Sequence, residues 1–165
     1  MPISSTFVPN TGPENARILF VGEAPGAKEE EARLPFVGES GDILIQVIGR
    51  AGFARQEVKL ANLCGYRPLP DNKFERLSGS AELERGIRAL REDIENHPPR
   101  VIVPLGGWPL KILCGKDGIS RWRGSIIPYL ENKSIKVVPT FHPAAVLRDR
   151  SIYPIFDLDI KRAIE

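Results

Sequence analysis

Four short runs of Val, Ile and Leu punctuate the chain, at residues 17–21, 58–63, 100–105 and 135–140. Each is apolar at successive positions instead of alternate ones. That pattern predicts strands covered on both faces, as in a parallel sheet between layers of helix, because a strand with one wet face would alternate. Between these runs the apolar positions return at helical spacing. Residues 40–51, SGDILIQVIGRA, are one such segment; residues 80–96 are another, opening on a capping Ser80 and closing before His97-Pro98-Pro99. A shorter helix is predicted over 108–114, and a last one from Pro143 onward that includes 155–164. Strand alternating with helix makes the expected fold a three-layer α/β/α sandwich around a four-stranded parallel sheet.

The rest of the pattern is punctuation. Residues 71–79 and 115–124 read as exposed loops, and residues 1–15, rich in Ser, Thr and Pro, as a loosely held N-terminal tail. No internal repeat or low-complexity tract interrupts the order. A length of 165 residues suits one domain spanning 1–165.

In an open parallel sheet the strand-to-helix loops gather beyond the carboxyl ends of the strands, and ligands bind there. Gly22-Glu23-Ala24-Pro25-Gly26 follows the first predicted strand. The second ends in Asn62-Leu63-Cys64-Gly65-Tyr66-Arg67-Pro68, the third in Gly106-Gly107, and the fourth in Phe141-His142-Pro143. Glu23, Asn62 and His142 are therefore expected at one edge. An acid, an amide and an imidazole in one cleft form a chemical constellation, and the Gly and Pro residues around them shape the backbone for close approach.

Composition narrows the chemistry. No run approaches the roughly 18 apolar residues of a membrane span, and the N-terminus lacks the layout of a secretory signal, so a cytoplasmic protein without a membrane partner is expected. The two cysteines, Cys64 and Cys114, lack CxxC spacing, and His97 and His142 are the only imidazoles. Neither a disulfide framework nor a cysteine-held metal is suggested, and no cofactor is expected. A net charge of +2 is too mild to announce nucleic acid, so that inference rests on where the charges sit.

Four blocks in order, GEAPG at 22–26, LPFVGESG at 34–41, ANLCGYRP at 61–68 and TFHPAAVLR at 140–148, resemble those of the uracil-DNA glycosylase superfamily, most closely its family 4 type. The resemblance runs from about Ile18 to the final helix and implies a parallel four-stranded sheet between helices, uracil-containing DNA as partner, and a monomer. It departs in one respect. Family 4 enzymes hold a [4Fe-4S] cluster with four cysteines, two of them in an N-terminal CxxC. Here that stretch has no cysteine, and Tyr66 stands where the family's N-V-V-K-C-R-P block has one. The chain thus resembles a cluster-free relative.

Each candidate has a plain reading beside the one the resemblance implies. Glu23 is either a loop acid satisfying backbone amides or the carboxylate that stabilises a cationic sugar and orients water. Asn62 either caps its turn or reads the uracil edge, its NH2 toward O4 and its carbonyl accepting from N3–H. Phe36 is core or the ring on which uracil stacks. The resemblance implies that Gly22 and Ala24 also contact the substrate. His142 is structural or donates to uracil O2 as negative charge grows. Glu29 is a second pocket acid or one member of the solvated run Glu29-Glu30-Glu31. Val146, Leu147 and Arg148 match an intercalating loop, with Arg150 and Arg123 as further DNA contacts; the alternative is a basic helix end.

The expected activity is monofunctional hydrolysis of the N-glycosidic bond of deoxyuridine in DNA, with other deaminated bases as further candidate substrates. No lysine matches a Schiff-base role. A catalytically inactive DNA-binding module of the same fold is the alternative. A dinucleotide- or P-loop-type protein is disfavoured, because GEAPG matches neither GxGxxG nor GxxxxGK[ST].

Overall fold

The computed structural model describes residues 3–165. The elements run β1 (Ile3–Phe7), β2 (Ile18–Gly22), α1 (Ala27–Ala32), α2 (Glu39–Arg50), β3 (Lys59–Asn62), β4 (Tyr66–Pro68), α3 (Ala81–Asn96) and β5 (Val101–Pro104), then α4 (Gly107–Cys114), α5 (Ile119–Trp122), β6 (Ile127–Tyr129), β7 (Asn132–Val137), α6 (Pro143–Arg148) and α7 (Tyr153–Ile164).

The order across the main sheet is β3-β2-β5-β7-β6. Strands β3, β2, β5 and β7 are mutually parallel, whereas β6 is antiparallel to β7. The sheet is thus mixed and five-stranded, not the four-stranded parallel sheet expected. The fifth strand escapes the hydrophobic pattern because it is only three residues long and contains Pro128. Proline lacks the N–H of a ladder and is tolerated at an edge, which is where β6 lies.

Alternate residues of each strand serve opposite faces, as the pleat requires. Ile18 and Phe20 of β2 and Val101 and Val103 of β5 join one core, with Leu44 and Val47 of α2, Val146 of α6 and Phe156 and Ile160 of α7. Leu19, Val21 and Ile102 join the other, with Leu90 and Ile94 of α3 and Leu110 and Leu113 of α4. Two cores on one sheet explain the unbroken apolar runs. The predicted Ser80 cap is present, its hydroxyl accepting from Leu83 N–H at 3.1 Å.

The segment expected to be a loose tail is instead paired. β1 runs antiparallel to β4 as a two-stranded ribbon. Thr11 and Leu60 exchange both backbone hydrogen bonds, at 2.9 and 2.8 Å, and so cover the outer edge of β3. Gly12 makes the approach possible: its φ is +114°, and a Cβ there would overlap the Val58 carbonyl. Residues 1 and 2 of the expected tail lie outside the described residues. The segment 71–79 also departs from expectation, since a turn of 3-10 helix at Phe74–Leu77 buries both end residues.

Candidate active site

The carboxyl ends of β2 and β3 lie in register, Gly22 opposite Asn62, so the loops after them open side by side. Beyond β5 and β7 the pairing continues through a bridge between Leu105 and Thr140, which brings Gly106 and His142 to the same edge. A cavity of about 480 Å³ lies there, lined by Glu23, Ala24, Glu29, Phe36, Asn62, His142 and Arg148 and closed on one side by the loop from Asp71 to Phe74. The three chemical groups that topology required at one edge share this cavity.

Glu23 and His142 flank Gly106. A Cβ on Gly106, whose φ is +98°, would sit 3.2 Å from the His142 Cβ and 3.4 Å from a Glu23 carboxylate oxygen. Any side chain there would push between them. Burial raises the Glu23 pKa from 4.5 to about 7, with nearby Glu75 adding to the rise and Arg148 opposing it. His142 moves the opposite way. Burial first, then the positive charge of Arg148, lowers its pKa to about 4, so the imidazole is neutral at physiological pH. Its Nδ1 accepts from Ala144 N–H at 3.0 Å as the N-cap of α6. An accepting Nδ1 carries no hydrogen, so the ring proton resides on Nε2. The plain reading of His142 as a structural residue therefore describes one nitrogen, the cap, and leaves the other free to donate.

Asn62 is 6% exposed, yet among the described residues its side-chain amide makes no hydrogen bond within the protein. The amide lies at the cavity wall, where its donor and acceptor are available to a ligand. Its backbone N–H donates to the Asn10 side-chain oxygen at 3.0 Å, a tie from the N-terminal segment. A Cβ on Gly22 would lie 2.7 Å from both the Asn62 Oδ1 and the Phe36 Cζ, so the amide and the ring close over that glycine.

Phe36 is both core and cavity wall, 7% exposed and packed with Leu44 and Val47. Its φ is +54°, a conformation that costs a non-glycine residue about 1–2 kcal/mol. Glu29 does not act as a free pocket acid. Its carboxylate accepts from Gly26 N–H at 3.1 Å, Val37 N–H at 3.0 Å and Gly38 N–H at 2.7 Å, tying the GEAPG turn to the loop after Phe36. Neither reading of Glu29 from the sequence anticipated this, because two of its three partners are backbone amides eight and nine residues away. Arg55 was also missed: its guanidinium donates to the Phe36 carbonyl at 2.8 Å and to the Pro35 carbonyl. No local pattern marks an arginine whose partners are main-chain oxygens.

The expected DNA contacts divide. Arg148 and Arg150 are exposed, and Arg148 lines the cavity mouth. Leu147 packs partly on the core and keeps surface beside Ile43 and Gln46 of α2. Val146 is 0% exposed, on the inner face of α6, and cannot serve as a wedge. Arg123 is likewise removed from the set. Its guanidinium forms a two-pronged pair with Asp159, which is fully buried and also accepts from Thr140 Oγ1 at 2.8 Å. That network braces the strand end before His142, and its charge is spent inside the protein.

The residues do not fit an iron–sulfur cluster. Cys64 and Cys114 are both buried, and burial pushes both thiols up, Cys114 to about 11, which disfavours the thiolate that iron needs. Tyr66, where the resemblance implies a ligand, packs against Phe7 in a tilted arrangement with ring centroids 5.4 Å apart. Among the described residues no group of three or more His, Cys, Asp or Glu is arranged to hold a metal ion.

Comparison with known proteins agrees with this geometry. Residues 9–161 match the family model described as the uracil DNA glycosylase superfamily. A type-4 uracil-DNA glycosylase of Thermotoga maritima is 37% identical over 149 residues, covering 89% of this chain and 74% of that one. One from Archaeoglobus fulgidus is 33% identical over 164 residues, covering 96% and 80%. A DNA polymerase of Bacillus phage SP01 is 28% identical over 151 residues, which are 91% of this chain but 16% of the polymerase. With matching motifs, a matching family model over nearly all of its length and relatives that align with most of it, the chain belongs to the uracil-DNA glycosylase superfamily.

Proposed function

We propose that the protein hydrolyses the N-glycosidic bond of deoxyuridine in DNA and leaves an abasic site, acting as a single domain and a monomer in the cytoplasm. The observation that carries this reading is the meeting, in one cavity, of a neutral imidazole protonated on Nε2, an unspent Asn62 amide and a desolvated Glu23 carboxyl.

The chemistry follows from what each group offers. A uracil turned out of the stack lies on the Phe36 ring, its O4 accepting from the Asn62 NH2 and its N3–H donating to the Asn62 oxygen. Cytosine presents the reverse order at that edge. As the C1′–N1 bond breaks, its electron pair leaves with the base and charge spreads onto O2. His142 Nε2–H donates to that oxygen, an interaction that strengthens as the anion forms. The sugar becomes cationic at C1′. An ionised Glu23 stabilises that cation and accepts hydrogen from the attacking water, whose oxygen bonds to C1′. The exposed Arg148 and Arg150 supply phosphate contacts beside the cavity.

Single-turnover release of uracil from an oligonucleotide, scored as alkali-labile sites, tests the assignment. Glu23→Gln and His142→Ala should each slow cleavage by roughly 10²- to 10⁴-fold with little change in binding to a substrate analogue. Well-folded variants that both cleave at near wild-type rates would exclude the mechanism. No cleavage by the wild-type protein would leave a DNA-binding module without turnover.

A further inference from the structure

Phe36 holds its place against its own conformational preference, and the means by which it is held converge from separate parts of the chain. At φ +54° the backbone is in the left-handed region, and nothing in a phenylalanine side chain favours that region. Behind it Gly41, in the first turn of α2, lies so close that a Cβ would overlap the Phe36 carbonyl carbon. Ahead of it Glu29 binds the next two amides, those of Val37 and Gly38. Its two carbonyl-side attachments both come from Arg55, which bonds the Phe36 and Pro35 oxygens with its two terminal nitrogens.

We propose that Arg55 is a positioning residue for the base pocket, clamping the Pro35–Phe36 turn so that the Phe36 ring stays in register with the Asn62 amide. The inference rests on the reading of Phe36 as the ring on which the base lies. Three features favour this role over that of a general brace. First, Arg55 begins the short 3-10 turn Arg55–Glu57, which leads directly into β3, and β3 ends at Asn62. One residue thus ties the stacking wall to the strand that carries the hydrogen-bonding wall. Second, the bonded groups are consecutive carbonyls, which a planar guanidinium fork can grip together and a lysine ammonium cannot match. Third, among the described residues Arg55 forms no ion pair within 4.0 Å, although Asp42 and Glu29 are its acidic neighbours. Its hydrogen bonds go to the turn and not to a carboxylate.

A stacking ring acts through its plane as well as its presence. Tilting the ring moves the base edge relative to the Asn62 donor and acceptor, so loss of the clamp should weaken recognition of the base and leave phosphate contacts alone. The test uses the full chain with Arg55→Lys, Arg55→Gln and Phe36→Ala. Four quantities are measured: the thermal midpoint, inhibition by free uracil, single-turnover release of uracil, and affinity for undamaged duplex. The expected result for at least one folded Arg55 variant is uracil inhibition and cleavage weakened by roughly ten- to a hundredfold, with unchanged affinity for undamaged duplex. Arg55→Lys should fall short of restoring the wild-type values. If Phe36→Ala loses uracil inhibition while both folded Arg55 variants keep it, the clamp is wrong and the stacking reading stands. Should Phe36→Ala keep wild-type inhibition, the stacking reading falls and the clamp with it. Arg55 variants that lose duplex affinity and midpoint together with uracil binding, or that do not fold, would make Arg55 a structural brace and overturn the proposal.

Discussion

Glu23 carries the widest gap between the protonation state it adopts alone and the state the chemistry needs. Burial lifts its pKa to about 7, yet an ionised carboxylate is required opposite a developing cation. In the free protein, kcat/KM should therefore rise with pH along a limb centred near 7, reporting loss of the Glu23 proton. His142 contributes no limb in that range, since its own proton uptake lies near 4. A pH series of kcat/KM for the wild type and for Glu23→Gln checks this. The limb should vanish in the variant, whose residual rate should be flat through neutrality. Asn62 has a different test. Asn62→Asp replaces the amide donor by an acceptor, so release of uracil should fall and cytosine, whose N4 amino group can donate, should gain relative to it. Parallel assays on uracil- and cytosine-containing oligonucleotides measure that ratio, and an unchanged ratio would take Asn62 out of the recognition of the base.

At the scale of elements, α6 and the residue that caps it carry three roles between His142 and Arg148. Its N-cap is His142, its inner face buries Val146, and its outer end presents Leu147 and Arg148. The helix period assigns them: consecutive residues lie about 100° apart, so Val146, Leu147 and Arg148 cannot share one surface. Substitutions along this helix should therefore separate cleanly. Val146→Ala should cost about 1–3 kcal/mol of stability and leave the salt dependence of DNA binding unchanged. Arg148→Ala should keep the midpoint and reduce the slope of log affinity against log salt by roughly one contact. Leu147→Ala should weaken binding to uracil-containing duplex more than to single strand, where no vacancy in the stack needs filling. Unfolding curves and salt titrations on the same three proteins decide the matter.

For the whole molecule, Glu23 and His142 enter stability with opposite signs. Glu23 has a raised pKa, so the folded state holds its proton more tightly than the unfolded chain, and stability falls as pH rises from about 4.5 to about 7. His142 has a lowered one, so the unfolded chain takes up the proton first, and stability rises with pH from about 4 to about 6.5. The two trends oppose each other across mildly acidic pH. Midpoints of the wild type should vary little there on their account. Glu23→Gln should leave the rising histidine trend alone, and His142→Asn, which retains a capping oxygen for Ala144, should leave the falling carboxylate trend. Thermal unfolding at a series of pH values in the three proteins measures both, and like slopes in all three would mean that neither group titrates as its burial implies.

What the sequence determined by itself is the part of the protein set by local pattern and by topology. Unbroken apolar runs required a sheet covered on both faces, and a parallel sheet required Glu23, Asn62 and His142 at one edge, whatever the side chains touch there. The Ser80 cap was legible because its partner, Leu83, lies three residues on. Tertiary structure alone decided the rest, since a side chain's role depends on partners that sequence distance does not reveal. Arg123 looks like a DNA contact until Asp159, 36 residues away, absorbs its charge. Val146 looks like a wedge until packing of α6 against α2 buries it in the core, and the N-terminal segment looks loose until the open edge of β3 offers it hydrogen bonds. Glu29 and Arg55 bind main-chain atoms, which every residue carries and no composition marks. Packing also set the two pKa values that prepare the chemistry, because desolvation belongs to the cavity and not to the residue.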